Sequence, residues 1–111
     1  MAPQKKKSQT TRGTKTCFLI IEGNASHAHL LQQVLKTHFK PASVNIVDDP
    51  EKAFRKVQSK KYNCLLTDFS IKGIPGKVMI PSLRTLAPST PIIVITSKGD
   101  EKTAARAIQL G

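Results

Sequence analysis

Long apolar runs are missing from this 111-residue chain. The longest, at residues 17–21 and 92–95, fall far short of the ~20 residues that a membrane helix needs. No apolar segment precedes residue 17, so neither a secretory signal nor a spanning segment is expected. Cysteine is scarce as well. Cys17 and Cys64 are the only two, and in a chain without a signal they read as reduced thiols of a cytoplasmic protein, which excludes a disulfide framework. Acids are few: 7 Asp and Glu stand against 18 Lys and Arg, a formal net charge of +11. The rest is ordinary. A hydrophobic share of 39% and a charged share of 23% fit one soluble domain with a single modest core.

The basic excess is concentrated at one end. Residues 1–16 contain Lys5, Lys6, Lys7, Arg12 and Lys15 and no acid. They show no hydrophobic periodicity and are rich in Lys, Gln, Ser and Thr, so burial cannot offset the entropy lost on ordering them. The expectation is a basic disordered tail over 1–16 and a folded domain over 17–111. Bases without acids suit nucleic-acid binding through counterion release. A solvated terminus that aids solubility is the plainer reading of the same residues.

From Cys17 onward, strand and helix patterns alternate. Residues 17–21 are continuously apolar, as a strand buried on both faces would be. Residues 26–39 have helical spacing, with Leu30, Leu31, Val34, Leu35 and Phe39 expected on one face. Residues 43–47 read as a second strand. Asp49, Pro50 and Glu51 then supply an N-cap, a first-turn proline and an acid at the helix's positive end. That helix runs to about Lys60, and residues 63–67 form a third strand. A helix follows Gly76, where Pro81 fits only in or near the first turn. Residues 91–96 are a β-branched fourth strand, and Asp100 caps a last helix over 104–110. Four βα units in a row require parallel strands and right-handed crossovers, hence an open α/β sheet with helices on both faces.

All the acids fall at or just after strand ends: Glu22 after the first, Asp48, Asp49 and Glu51 after the second, Asp68 after the third, Asp100 and Glu101 after the fourth. In a parallel sheet those positions share the carboxyl edge, where open α/β folds place their sites. Helix capping explains Asp49, Glu51, Asp100 and Glu101. It does not explain Glu22 and Asp68, which end buried strands without opening a helix. Thr96, with Ser97 behind it, ends the fourth strand in the same way.

This ordered set resembles the CheY-like receiver domain of response regulators in two-component signalling, which has a flavodoxin-like fold. Phe18, Leu19, Ile20, Ile21 and Glu22 look like the family's first strand running into its acidic pair. Leu65, Leu66, Thr67 and Asp68 look like the strand that carries the phosphoacceptor. The spacing from Asp68 to Gly76 matches the loop that follows it, and residues 92–97 look like the strand bearing the switch hydroxyl. The resemblance implies a phosphorelay module, not an enzyme, in which Asp68 accepts a phosphoryl group from a histidine kinase or phosphotransfer protein. Thr96 and Ser97 would bind that group and report its presence. It also implies Mg2+ held by Glu22, Asp68 and the backbone carbonyl of Ser70. There are three departures. Gly23 stands where a second acid is usual, which weakens the expected metal site. Ile71 and Lys72 replace a Met-Pro pair. The chain ends at Gly111, before the family's fifth strand and its lysine, so the domain is expected to be incomplete at that end.

Other signals carry less. His27, His29 and His38 have no partner at metal-ligand spacing, and Cys17 and Cys64 read as buried packing thiols. The loop at Gly73, Gly76 and Lys77 lacks phosphate-loop spacing. Lys52, Arg55, Lys56 and Lys60 form a basic stripe that is either a solvated face or a contact for an acidic partner. A fourth strand without a neighbour would expose a hydrophobic edge, on which a homodimer is expected. Two alternatives stay open: a degenerate receiver acting as an unphosphorylated interaction module, and a nucleic-acid-binding protein acting through Lys5, Lys6, Lys7, Arg12 and Lys15. No membrane partner is expected.

Overall fold

The structure, a computed structural model, describes residues 15–68, 71 and 75–95. Its elements alternate as β1 (Thr16–Ile21), α1 (Ala25–His38), β2 (Ala42–Val47), α2 (Pro50–Ser59), β3 (Cys64–Asp68), α3 (Gly76–Leu86) and β4 (Ile92–Ile95). All four strands are parallel, in the order β2-β1-β3-β4. The expected α/β alternation is therefore present across the described residues. The last helix expected from sequence, and the residues before Lys15, lie outside them. Among the described residues no helix is long and apolar enough to cross a membrane.

The first crossover leads from β1 to β2 and the next two lead in the opposite direction across the sheet. Right-handed connections therefore put α1 on one face and α2 and α3 on the other. The core follows that division. Leu19, Ile21 and Leu65 pack with Ala53, Tyr62, Met79 and Leu83 beneath α2 and α3. Phe18, Ile20, Val44 and Leu66 pack with Ala28 beneath α1. Leu19, Ile20, Ile21 and Leu65 are fully buried, each stabilising the fold by about 1.5–3 kcal/mol.

The inward face of α1 differs from the expected one. Ala28 is buried, with Leu31 and Leu35 packed against the same cluster, whereas Leu30 is 60% and Val34 47% exposed. The expected stripe was wider than the strip of helix surface that a flat sheet covers. Phe39 lies just beyond the helix and reaches back to Phe18, ring centroids 5.1 Å apart and edge to face. Pro81 also departs from expectation. α3 begins at Gly76, so the proline sits in its second turn and removes one backbone donor there. Met79, Ile80 and Leu83 are fully buried around it, and their burial offsets the lost hydrogen bond. The two cysteines are free and only partly buried. They belong to opposite faces of the sheet, Cys17 against the α2–α3 cluster and Cys64 against the α1 cluster.

Two ionisable groups, buried Tyr62 and half-buried Cys64, tie stability to pH. The Tyr62 hydroxyl donates to Asn45 Oδ1 at 2.7 Å, and burial, with Cys17 nearby adding, lifts the phenol above its ordinary 10.0. Burial likewise lifts the Cys64 thiol above its ordinary 9.0. Both groups hold their protons more tightly in the folded state, so the unfolded chain ionises first as pH rises. The urea midpoint is expected to be steady below the thiol's ordinary value and to fall as pH climbs through it and through the phenol's. Tyr62→Phe is expected to lower stability at neutral pH by about 1 kcal/mol, since the Asn45 bond is lost, and to make the alkaline fall of the midpoint shallower. A midpoint that does not change with alkaline pH would contradict this. The same assay tests the α1 assignment: Leu19→Ala is expected to cost about 2–5 kcal/mol and Leu30→Ala less than about 0.5.

Candidate acidic site at the carboxyl edge

The site is built by register. Ile21 pairs with Val47 on one side and Thr67 on the other. Glu22, Asp48 and Asp68 each follow one of those residues, so three carboxylates leave three adjacent strands at one level. Asp68 in turn pairs with Ile95, the residue before Thr96. Thr96, Ser97 and Ser70, expected to complete the site, lie outside the described residues.

Glu22 is held firmly. Its backbone N–H donates to Val47 O at 3.0 Å, which extends the β1–β2 ladder by one bond. The side chain is 7% exposed, and Oε2 accepts from the Asn24 N–H at 3.1 Å. Asn24 is the N-cap of α1, its Oδ1 accepting from His27 N at 3.0 Å. The first turn of α1 has no acid of its own, so Glu22 is the carboxylate placed at that helix's positive end. Asp68 closes β3 and is partly buried. Behind it Thr67, 1% exposed, donates its hydroxyl to the Asp68 carbonyl at 2.8 Å.

The other described rim acids serve α2. Asp49 Oδ1 accepts from Glu51 N at 2.7 Å as the N-cap. Asp48 meets Lys52 at 3.2 Å and Glu51 meets Arg55 at 3.4 Å. Half of the basic stripe seen in sequence is thus engaged with the rim, while Lys56 and Lys60 are exposed. Asp48 stands level with Glu22 at the carboxyl edge, as its position directly after the second strand implied.

Gly23 is not required by the backbone. A Cβ there would meet nothing within 4 Å, and the residue is not in the left-handed region. The missing second acid is therefore a chemical difference, not a steric one. Among the described residues no three His, Cys, Asp or Glu side chains come together to hold a cation, and His27, His29 and His38 are exposed. Magnesium is typically bound by one or two carboxylates, with water and other oxygens completing its shell. Glu22 and Asp68 fit that minimum.

Comparison with known proteins identifies the family. The transcriptional regulatory protein ZraR of Klebsiella oxytoca is 24% identical over 99 residues, covering 89% of this chain and 22% of its own length. The chain thus spans about a fifth of that curated relative. A solved response-regulator structure from Chloroflexus aurantiacus superposes with a TM-score of 0.80 at 22% identity, covering 88% of this chain and 80% of the other. The receiver domain of a sensor histidine kinase from Pseudomonas aeruginosa PAO1 superposes with a TM-score of 0.76 at 20% identity, over 88% and 80% of the two chains. That structure has a magnesium ion coordinated in its active-site cleft. Residues 18–111 match the response regulator receiver domain family, and the chain belongs to that family.

Proposed function

We propose that this receiver domain accepts a phosphoryl group on Asp68 from a histidine kinase or phosphotransfer protein, and that Thr96 and Ser97 carry the response. The observation that supports this most is the level placement of Asp68 beside the buried, anchored Glu22. In the proposed transfer an Asp68 carboxylate oxygen attacks phosphorus as the phosphorus–nitrogen bond of a phosphohistidine breaks. The bonding pair leaves with the imidazole, which takes up a proton from water. Mg2+ at Glu22, Asp68 and the Ser70 carbonyl supplies charge neutralisation for the phosphoryl oxygens when bound. Loss of an outer-shell partner alone weakens a metal site by ~10–100-fold, so Gly23 in place of an acid implies a high magnesium requirement.

Incubation with a small acyl phosphate, followed by intact-mass measurement, tests the assignment. A single phosphoryl adduct is expected, forming slowly and at high magnesium. Asp68→Asn is expected to abolish it. Gly23→Asp, for which the backbone leaves room, is expected to lower the magnesium needed by ~10-fold or more. An adduct that survives Asp68→Asn, or no adduct even with Gly23→Asp, would replace this reading with an unphosphorylated interaction module.

The outer edge of β4 supports a second proposal. Among the described residues β4 pairs with β3 alone, and Ile93 is 49% exposed. An apolar edge of this kind pairs readily with another chain. A dimer through β4 is the expected outcome of sedimentation velocity at micromolar concentration, and a single monomeric boundary would contradict it.

A further inference from the structure

The described acids all sit at the carboxyl edge or in the first turn of α2, which leaves the opposite edge without one. At that amino edge the strands begin and the helices end. Lys15 precedes β1, Lys40 comes shortly before β2, and Lys61 shortly before β3. Backbone hydrogen bonds tie these three starts together. Thr16 N donates to Pro41 O at 3.1 Å and Asn63 N to Cys17 O at 2.8 Å, while Cys17 N donates to Asn63 Oδ1 at 2.7 Å. The three lysines therefore belong to neighbouring strands spaced about 4.8 Å apart. Lys36 lies in the last turn of α1 on one face of the sheet, and Lys56 and Lys60 end α2 on the other. All six are exposed, Lys60 with its Nζ over the Tyr62 ring, 5.4 Å from the centroid.

Not every base at this edge is available. Arg84 directs Nη1 to the carbonyls of Ala87, Pro88 and Thr90 at 3.3, 3.2 and 2.7 Å, so it serves the end of α3. Lys36 and Lys56 in part balance the negative ends of their own helices. Lys15, Lys40 and Lys61 lie in no helix and carry no such duty. Residues 1–14 lie outside the described residues, but the chain passes from them directly into Lys15. Lys5, Lys6, Lys7 and Arg12 are thus covalently attached to this edge and bring no acid with them.

We propose that the amino edge of the sheet binds the phosphate backbone of a nucleic acid through Lys15, Lys40 and Lys61, with Lys36, Lys56 and Lys60 flanking them. A lipid surface fits less well, because interfacial binding needs a continuous apolar face to bury, whereas Phe39 beside these lysines, 44% exposed and edge to face with Phe18, is a single ring. An acidic protein fits less well, because protein interfaces rely on aromatic or arginine anchors. Lysines are point charges without base-reading geometry, so contact is with phosphates and independent of sequence. β1 has six residues, which sets this edge about 20 Å from the acidic rim. A bound nucleic acid and a phosphorylated Asp68 are therefore compatible.

Fluorescence anisotropy of a labelled duplex of arbitrary sequence, titrated with the full chain over a series of salt concentrations, tests the proposal. Log affinity is expected to fall against log salt with a slope of about −3 or steeper. The triple variant Lys15→Gln, Lys40→Gln, Lys61→Gln is expected to bind ~10-fold or more weakly at low salt, with the slope reduced by about 2–3. The double variant Lys52→Gln, Arg55→Gln, at the other edge, is expected to stay within about twofold of the parent. Arginine at the same three positions is expected to retain binding, which separates charge from a structural role. The proposal is overturned if the glutamine triple binds like the parent, if both glutamine variants lose affinity alike, or if the arginine triple loses it too. Tighter binding to phosphatidylserine vesicles than to the duplex would overturn it in favour of a lipid partner.

Discussion

The parallel register of β1 with its two neighbours is the constraint on which everything else rests. Ile21 is paired on both sides, and with Leu19 and Ile20 it is completely buried. Sliding β1 by one residue would exchange its two faces, moving Phe18 and Ile20 out of the α1 cluster and Leu19 and Ile21 out of the other. The hydrophobic cost of that slip holds the strand ends level. Glu22 and Asp68 are neighbours because apolar side chains several residues earlier cannot be rearranged.

That same register separates charge along the strand direction. Each of the first three strands presents an acid at one end and a lysine near the other. At the acidic end the helix caps draw on part of the carboxylate supply. Asp49 caps α2, and Asp48 and Glu51 meet cations of that helix. These exposed pairs are worth little to stability. Among the described acids Glu22 alone is buried, and it too contacts the backbone that opens a helix, α1. Gly23 beside it leaves open space for a side chain.

Much of this was legible in the sequence for definite reasons. A strand buried on both faces must be continuously apolar, which made the first strand plain, and β-branched residues marked the fourth. Caps were equally clear, because Asp49 and Pro50 each satisfy a backbone requirement of a helix start. The inward face of α1 was not legible: Leu30 and Leu31 are equally apolar, and only the sheet beneath decides that Leu31 turns in. The position of Pro81 was misjudged because local propensity carries no information on the tertiary burial of Met79, Ile80 and Leu83. The cysteines looked alike in sequence, yet the pleat sends them to opposite faces. The lysine edge was invisible for another reason. Its charges come from separate segments, and only the sheet brings them together.

The central claim is that the carboxyl edge, through Glu22 and Asp68, is the place where this chain receives a divalent cation and, with it, a phosphoryl group. A magnesium titration followed by amide proton–nitrogen correlation spectra addresses it directly. The account predicts saturable shifts at Glu22, Gly23 and Asp68, with Lys15, Lys40 and Lys61 at the opposite edge unmoved, and a loss of those shifts in Asp68→Asn. Amides at the carboxyl edge that stay still while magnesium is added, or shifts spread evenly over both edges, would contradict it.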